Sequence, residues 1–272
     1  VRAIRRRVFK EVAQLGFKAD ADTLLADMEA IPYAIVNEDS EKYRESVYRA
    51  RAIVRERLRL AMGLSLRPEN KPVHLTAGVE ASNISEKYYE PPLMQVIPSA
   101  CESCEENKYE VSNICKGCLA HPCQEVCPKD AISMVNGRSY IDQEKCIKCG
   151  KCKSVCPYDA IAKKERPCQK ACGVNAIKSD KMGRAYIDNE KCVSCGMCMV
   201  SCPFGAISDK SQIFQLARAL SEGENVIAEI APAFVGQFGD NITPRNIKAA
   251  LRELGFSEVY EVALGADIGA IA

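Results

Sequence analysis

Apolar residues in the first part of the chain recur at intervals of three and four, the spacing of one face of an α-helix. This pattern predicts that residues 1–62 are helical. In the stretch 40–62 the apolar stripe comprises Tyr43, Val47, Ala50, Val54, Leu58 and Met62. The arginines of this stretch fall outside the stripe, and we interpret them as a solvated helix face rather than a docking surface. They are Arg44, Arg49, Arg51, Arg55, Arg57 and Arg59.

The last part of the chain has a different pattern. Residues 209–222 predict a helix that ends before Gly223. The apolar runs 225–231 and 257–264 predict two strands, the first of them buried.

A helix is predicted between these two strands. Thr243 is a suitable N-cap, Pro244 suits the first helical position, and the helix would run to Leu254. Strand–helix–strand predicts a parallel pair with a right-handed crossover. One helix cannot cover both faces of such a sheet, so we expect a longer parent protein in which the sheet continues.

The middle of the chain contains internal repeats, which indicate a duplicated small unit. The segments 136–152 and 182–198 correspond almost residue for residue, and each contains a Tyr-Ile-Asp predicted to be a strand. We also predict a short helical turn between the third and fourth cysteine of each copy. A six-residue motif occurs four times, as CPKDAI (127–132), CPYDAI (156–161), CGVNAI (172–177) and CPFGAI (202–207).

Charge and hydropathy exclude some classes of function. The net charge is +1, so we expect no general attraction to nucleic acid or to a membrane surface. No apolar run approaches the ~18 residues that span a bilayer. The chain has sixteen cysteines, and nothing points to secretion. Dense cysteines in a reducing compartment are typical of metal binding, so we expect a cytoplasmic metalloprotein.

The cysteine spacing is typical of 4Fe–4S clusters. One of the three motifs, Cys115–Cys118–Cys123–Cys127, has two more loop residues than the other two. Structural zinc is the competing interpretation, but triads followed by a fourth cysteine and proline are the spacing of bacterial-type ferredoxins. Two motifs are C-x2-C-x2-C-x3-C-P and one is C-x2-C-x4-C-x3-C-P: Cys146–Cys149–Cys152–Cys156, Cys192–Cys195–Cys198–Cys202 and Cys115–Cys118–Cys123–Cys127.

In two-cluster ferredoxins the fourth cysteine of each motif ligates the other cluster. This rule predicts two ligand sets in residues 112–164. Cluster 1 is assigned to Cys115, Cys118, Cys123 and Cys156, and cluster 2 to Cys146, Cys149, Cys152 and Cys127.

The remaining cysteines predict a second two-cluster unit whose first motif is split by the insertion of the first. Cluster 3 is assigned to Cys192, Cys195, Cys198 and Cys172, and cluster 4 to Cys101, Cys104, Cys168 and Cys202. Gly173 stands where the other copies have proline. The alternative is that Cys101, Cys104 and Cys168 are not ligands, which leaves three clusters.

Other candidate residues carry weaker signals. His121 lies in a cluster loop, where we expect it to form hydrogen bonds rather than to ligate iron. His74 has no functional signal. Lysines surround the loop of cluster 2, and they are either solvated charge or a docking patch for an acidic electron carrier. They are Lys145, Lys148, Lys151 and Lys153, with Lys163 and Lys164 nearby.

Two regions resemble known families. The inserted unit, with CKGCLAHPC and CIKCGKC, resembles the ferredoxin-type subunits of molybdopterin oxidoreductases. The segments 226–239, 246–256 and 259–271 resemble the opening of the catalytic domain of iron-only (FeFe) hydrogenases, and the arginine-rich start and split motif resemble group B of that family.

The hydrogenase resemblance implies a parent enzyme that reduces protons or oxidises hydrogen at an H-cluster. The cysteine motifs that hold the H-cluster are absent after Cys202, so this chain is expected to be its electron relay, with no catalytic residues of its own. The expected partners are a soluble carrier such as ferredoxin or flavodoxin and the missing catalytic domain. The alternative is a polyferredoxin subunit of another oxidoreductase.

The predicted fold class is α+β, with nested ferredoxin-like modules and the start of an α/β domain. A helical region, 1–66, and a proline-containing connector, 67–98, precede the ferredoxin-like region 99–208. Within the latter, unit 112–164 is inserted into a unit formed by 99–111 and 165–208. Residues 209–272 are the truncated start of the catalytic domain.

Overall fold

The computed structural model describes residues 1–18, 21–37, 44–84, 91–239 and 241–271. The chain divides into two compact units. The cysteine unit comprises residues 96–208, and the flanking unit comprises residues 1–95 and 209–272. In the described part of the chain, every helix is too short or too polar to cross a lipid bilayer.

The chain is a mixture of helices and two-stranded sheets. The helices are α1 (Arg2–Lys18), α2 (Ala21–Ile35), α3 (Val47–Ala61), α4 (Val79–Ser82), α5 (Pro122–Glu125), α6 (Lys151–Ser154), α7 (Pro167–Lys170), α8 (Met197–Ser201), α9 (Ile213–Ser221), α10 (Pro244–Glu253) and α11 (Val262–Ile271). The strands are β1 (Met94–Val96), β2 (Lys108–Val111), β3 (Ile132–Val135), β4 (Arg138–Ile141), β5 (Ile161–Lys164), β6 (Ile177–Ser179), β7 (Ala185–Ile187), β8 (Ile207–Asp209), β9 (Ile227–Ile230) and β10 (Glu258–Glu261).

The core of the flanking unit lies between α1, α2, α3 and α9. Phe214 of α9 is 1% exposed and packs among the aliphatic side chains of the other three helices. Helix α1 approaches α9 closely at Gly16, where a Cβ would lie 2.7 Å from the Phe214 carbonyl oxygen and from the Ala217 Cβ. Only glycine fits here without a shift of one helix, because interiors are packed at crystal-like density.

The predicted apolar stripe of α3 is confirmed. Ala50, Val54, Leu58 and Met62 are all buried in the core, while Tyr43 lies outside the described residues. Helix α3 begins at Val47 after its N-cap Ser46, so the described residues 44–46 are not helical, contrary to the prediction.

The interpretation of the arginines as a solvated face is wrong for two of them. Arg57 and Arg59 are buried. Arg59 donates hydrogen bonds to the carbonyls of Ser65 (2.9 Å), Leu75 (2.6 Å) and Ala77 (2.8 Å). A charged group is stable at such depth only when its donors are satisfied, and these bonds hold the segment after α3 against the helix. The predicted connector, 67–98, is accordingly not wholly irregular, since it contains α4 and β1.

The predicted parallel strand pair near the end of the chain is confirmed. Strand β10 pairs with β9 in parallel register, with Val259 opposite Ala228. Helix α10 begins with the predicted N-cap, in which the Thr243 hydroxyl accepts from the Asn246 amide and the Asn246 side chain accepts from the Thr243 amide.

Two boundaries in this region differ from prediction. The strand predicted over 257–264 ends at Glu261, and the alanine- and leucine-containing run that follows forms α11. The helix predicted over 209–222 begins only at Ile213, because Asp209 still belongs to β8. Of the predicted buried strand 225–231, Ala228 is buried and Ile227 is exposed.

The cysteine unit is built from short antiparallel pairs. The two predicted Tyr-Ile-Asp strands form hairpins in matching registers, with Ile132 opposite Ile141 and Ile177 opposite Ile187. Strand β5 pairs with β2, with Ile161 opposite Val111. The hydrogen-bonded part of the predicted inserted unit therefore starts at Lys108 rather than at residue 112. The Ile97 amide donates to the Ala206 carbonyl at 2.7 Å, so the start and end of the unit meet.

Candidate metal centres

All four CxxC loops share one backbone feature. The residue before the second cysteine has a positive φ, a conformation that few residues other than glycine adopt. A left-handed residue in such a turn is a feature of the backbone nests that bind anions. The four residues are Ser103 (φ 47°), Gly117 (59°), Lys148 (59°) and Ser194 (55°). The loop 101–104 therefore has the same geometry as the loops of the three complete motifs.

The next cysteine of each motif is buried at the start of a short helix, α5 to α8. The four are Cys123 (6% exposed), Cys152 (7%), Cys168 (5%) and Cys198 (6%). Cys168 thus occupies the same position as the third cysteine of each complete motif. This is what the split-motif interpretation requires of it.

The last cysteine of each motif is also equivalent in all four copies. Its sulfur accepts a hydrogen bond from the alanine amide four residues later. The residue before that alanine has a positive φ, which explains the choice of Asp, Asn or Gly there. The sulfur acceptors and amide donors are Cys127 and Ala131 (3.3 Å), Cys156 and Ala160 (3.3 Å), Cys172 and Ala176 (3.2 Å), and Cys202 and Ala206 (3.3 Å).

The structure brings together the four cysteines predicted for cluster 1. They line one cavity, which encloses about 320 Å³ of non-atom space including its open side. Pro122, Pro157 and Ile161 contribute apolar walls. Cysteine sulfurs contributed by a loop, a helix and the following motif thus surround a mostly apolar space, whose lining also includes Lys116 and Ser139. The four are Cys115, Cys118, Cys123 and Cys156.

The structure also brings together the four cysteines of the split motif. They line a second cavity of the same size, about 320 Å³, with walls formed by Pro167, Pro203 and Ile207. The matching positions in the first cavity are Pro122, Pro157 and Ile161. The lining cysteines are Cys101, Cys104, Cys168 and Cys202. The second cavity differs in containing the buried side chain of Arg166.

Several of the other eight cysteines also lie near a predicted companion. The charge of Cys172 contributes to the raised pKa of Cys198, as does that of Cys192, so these three are electrostatic neighbours. In the same way Cys146 and Cys149 act on Cys152. Cys127 packs against the buried cluster that contains Cys152, and Cys146 does so too.

Burial controls the chemistry of the thiols. It raises the pKa of Cys168 to about 11, with Cys202 adding to the rise and Arg166 opposing it. Burial likewise raises the pKa of Cys104, reinforced by Cys101 and Cys202. The pKa of Cys115 is lowered, because hydrogen bonds from Ser139 and Gly117 outweigh the effect of burial.

The sixteen cysteines are all free thiols. Among the described residues, no three Cys, His, Asp or Glu side chains converge closely enough to hold a single metal ion. Four-coordinate zinc needs its ligands within about 2.3 Å of one point. Groups of four cysteines around a cavity suit the larger 4Fe–4S cube, and its preferred ligands are thiolates.

The remaining candidates have different environments. His74 is exposed, and His121 has a left-handed backbone (φ 39°) at the N-cap of α5. Among the described residues, the lining of the first cavity includes Pro122 and Cys123 but not His121. Lys163 and Lys164, included in the predicted basic patch, are paired with carboxylates, Lys163 with Glu165 at 2.5 Å.

Sequence reasoning missed Arg166. The residue opens the RPCQKAC segment, and its counterpart in HPCQEVC is His121. That alignment shows a basic residue two positions before the buried cysteine in both copies. It does not show that one side chain is buried and the other half-buried.

Family models match three stretches of the chain. Residues 115–166 match the LdpA Fe–S cluster-binding domain, and residues 185–208 match a 4Fe–4S binding domain. Residues 224–272 match the C-terminal domain of the iron only hydrogenase large subunit. The chain therefore carries 4Fe–4S-binding domains, with a hydrogenase-like segment following them.

Individual relatives match parts of the chain. An uncharacterized ferredoxin of Methanocaldococcus jannaschii is 33% identical over 99 residues, 29% of this chain and 63% of that protein. Electron transport protein HydN of Escherichia coli K12 is 37% identical over 71 residues, 26% of this chain and 41% of that protein. The chain thus spans less than two thirds of either. Ferredoxin 7Fe of Hydrogenibacillus schlegelii is 43% identical over 53 residues, 20% of this chain and 68% of that protein.

Proposed function

Because the chain belongs to the ferredoxin family of iron–sulfur proteins, we propose that it carries electrons in four 4Fe–4S clusters bound by its sixteen cysteines. A bound 4Fe–4S cluster supplies reversible uptake of one electron at a potential set by its surroundings. The observation that carries the proposal is the pair of equivalent cavities, each lined by four cysteines in the crossed arrangement. Two such cavities support the interpretation of the split motif as a cluster-binding site rather than a remnant.

The ligand sets are those predicted from the spacing. The first cavity supports cluster 1, held by Cys115, Cys118, Cys123 and Cys156, and the second supports cluster 4, held by Cys101, Cys104, Cys168 and Cys202. For cluster 3, the proximity of Cys172 to Cys198 supports the set Cys192, Cys195, Cys198 and Cys172. For cluster 2, the set Cys146, Cys149, Cys152 and Cys127 is proposed from the spacing, and Cys127 and Cys146 pack against the buried cluster that contains Cys152 and Cys123.

The segment after the cysteine unit supports a proposal for the electron acceptor. Residues 224–272 match the iron only hydrogenase domain, and the chain has no cysteine after Cys202 to hold an H-cluster. We propose that the relay supplies a hydrogenase catalytic domain lying outside these residues, in the cytoplasm, and that the present chain itself does not turn over hydrogen.

A second candidate is supported by the relatives. HydN is named an electron transport protein, and a further relative, 38% identical over 69 residues, is named a probable iron–sulfur subunit of the frd operon of Proteus vulgaris. On this proposal the chain would be an electron-transfer subunit of a separate oxidoreductase. Hydrogenase assays of the complete coding sequence, with methyl viologen as donor, separate the two candidates.

The electrons would enter at cluster 2. Cys149 is exposed there, and Lys148, Lys151 and Lys153 are exposed around it, with no carboxylate paired to them in the described part of the chain. The matching loop of cluster 3 carries Ser194, Met197 and Met199 at those positions. A concentration of positive charge at one of two otherwise equivalent loops fits an acidic carrier such as ferredoxin or flavodoxin.

The number of clusters is tested by counting iron in nested variants. Anaerobically reconstituted protein should hold about sixteen irons, and C101S/C104S should lose about four. Adding C168S and C202S should remove no further iron, because all four residues serve one cluster. E106Q, an exposed change in the same segment, is the control. Iron unchanged in the double variant, or a further loss in the quadruple variant, would contradict the split motif.

A further inference from the structure

Arg166 is a buried cation in the wall of the second cavity. The residue is 3% exposed. Its donors reach three segments of the chain. Nε and Nη2 both donate to the Cys104 carbonyl (3.0 and 2.8 Å), Nη2 also to the Gly183 carbonyl (2.8 Å), and Nη1 to the Lys178 carbonyl (3.3 Å) and the Ser179 hydroxyl (2.8 Å).

Every acceptor of Arg166 is neutral. A guanidinium has five N–H donors, and five hydrogen bonds are formed, all to carbonyl or hydroxyl oxygens. Among the described residues no carboxylate lies within ion-pair distance of Arg166, and Glu102, which lines the same cavity, is exposed. The hydrogen bonds satisfy the donors but leave the positive charge itself without a counterion.

A buried charge without a counterion is strongly destabilising. The four cysteines of the same cavity supply the missing negative charge once they are thiolates, as metal binding requires. Arg166 lines the same cavity as Cys104 and Cys168 and donates to the Cys104 carbonyl, so its charge lies close to these sulfurs. The cation and the thiolates therefore compensate one another.

From this arrangement we propose that Arg166 is a positioning residue for cluster 4 and raises the reduction potential of that cluster above the value the site would otherwise have. The inference rests on the proposed binding of a 4Fe–4S cluster by Cys101, Cys104, Cys168 and Cys202. Reduction adds one electron, and so one negative charge, beside the guanidinium. The nearby cation stabilises the reduced form more than the oxidised form, because Coulomb attraction grows with the added charge.

Arg166 also links the two halves of the split motif by hydrogen bonds. The Cys101–Cys104 loop and the β6–β7 hairpin are distant in sequence, and the Cys104 carbonyl and the Gly183 carbonyl accept from the same Nη2 atom. The side chain thus joins the two halves of the ligand set. The corresponding residue at cluster 1, His121, is not part of the cavity lining among the described residues, so this device distinguishes cluster 4.

The test is a redox titration followed by electron paramagnetic resonance, with dithionite as electron donor. The signal lost in C101S/C104S identifies cluster 4. In R166Q with full iron content, the ratio of reduced to oxidised cluster 4 at a fixed potential should fall about tenfold, or about 59 mV for one electron. R184Q is the control, because Arg184 lies in the same hairpin but pairs with Asp180. An unchanged midpoint in R166Q overturns the proposal.

A second variant addresses the case in which R166Q does not bind cluster 4. If R166Q lacks about four irons, R166K decides, because it keeps the charge but not the five-donor geometry. If R166K retains its iron, the result supports the requirement for a positive charge at this position. If both R166Q and R166K lose the iron, that requirement is overturned. Wild-type protein with about twelve irons would instead refute the fourth cluster, a failure distinguishable from that of Arg166.

Discussion

The amide of Ala176 donates to the sulfur of Cys172 at 3.2 Å, as the amide of the corresponding alanine does in the three copies that have proline after the cysteine. The glycine at position 173 has therefore not changed the local geometry. A Cβ at Gly173 would meet nothing within 4 Å. The copy that lacks proline is structurally equivalent to the others.

We predict that G173P retains full iron content, whereas C172S loses about four irons. Proline restores the residue of the other copies and restricts the unfolded chain, so the free energy of unfolding should rise by up to about 1 kcal/mol. Iron analysis and urea unfolding of the anaerobic proteins measure the two effects. Loss of iron in G173P would contradict the equivalence of this copy to the other three, and retention of iron in C172S would show that Cys172 is not the fourth ligand of cluster 3.

Thiol reactivity should separate Cys115 from Cys168 in iron-free protein. Iodoacetamide reacts with the thiolate. The pKa of Cys168 is raised to about 11, so its alkylation should increase about tenfold per pH unit from pH 8 to 10. Because the pKa of Cys115 is lowered, its alkylation rate should rise at lower pH than that of Cys168 and should reach its plateau at lower pH.

Peptide mapping by mass spectrometry gives both rates in one sample. The same reaction in concentrated urea is the control, since unfolding removes the burial that distinguishes the two thiols and their profiles should then coincide. Identical profiles in the folded protein would contradict the assigned environments.

Electron entry at cluster 2 predicts a steep dependence on salt. With a reduced acidic ferredoxin as donor, K148Q/K151Q/K153Q should slow the second-order rate about tenfold at low ionic strength and flatten its salt dependence, because steering by opposite charge is lost. Stopped-flow absorbance measures the rate.

A triple variant with the same change in net charge is the matched control. Lys129, Lys181 and Lys191 are exposed elsewhere in the cysteine unit, and K129Q/K181Q/K191Q should retain most of the rate. Equal slowing in both variants would mean that net charge, and not the cluster 2 loop, directs the carrier.

Arg59 should matter for stability rather than for electron transfer. R59M leaves three carbonyls without their donor and should lower the free energy of unfolding by about 3 kcal/mol. R49M removes an i,i+4 pair with the exposed Glu45 and should cost much less, because exposed ion pairs contribute little to stability. Denaturant unfolding followed by circular dichroism compares them, and equal costs would contradict the buried role of Arg59.

The sequence alone determined the chemistry of the middle of the chain. Cysteine spacing identifies the cluster type because ligands a few residues apart must converge locally, and the repeated motif predicts equivalent loops. The apolar stripe that includes Ala50, Val54 and Leu58 could also be predicted from the sequence, because a helix places every third or fourth residue on one face. Thr243 and Pro244 marked a helix start for a similarly local reason.

Tertiary structure decided what depends on residues far apart. Burial of Arg59 could not be read from its neighbours, since the carbonyls of Leu75 and Ala77 reach it only through the path of the following segment. Spacing assigned Cys101, Cys104, Cys168 and Cys202 to one cluster, but only the folded chain places them around one cavity with Arg166. Local rules act over a few residues, whereas the partners of a buried charge are selected by how distant segments pack.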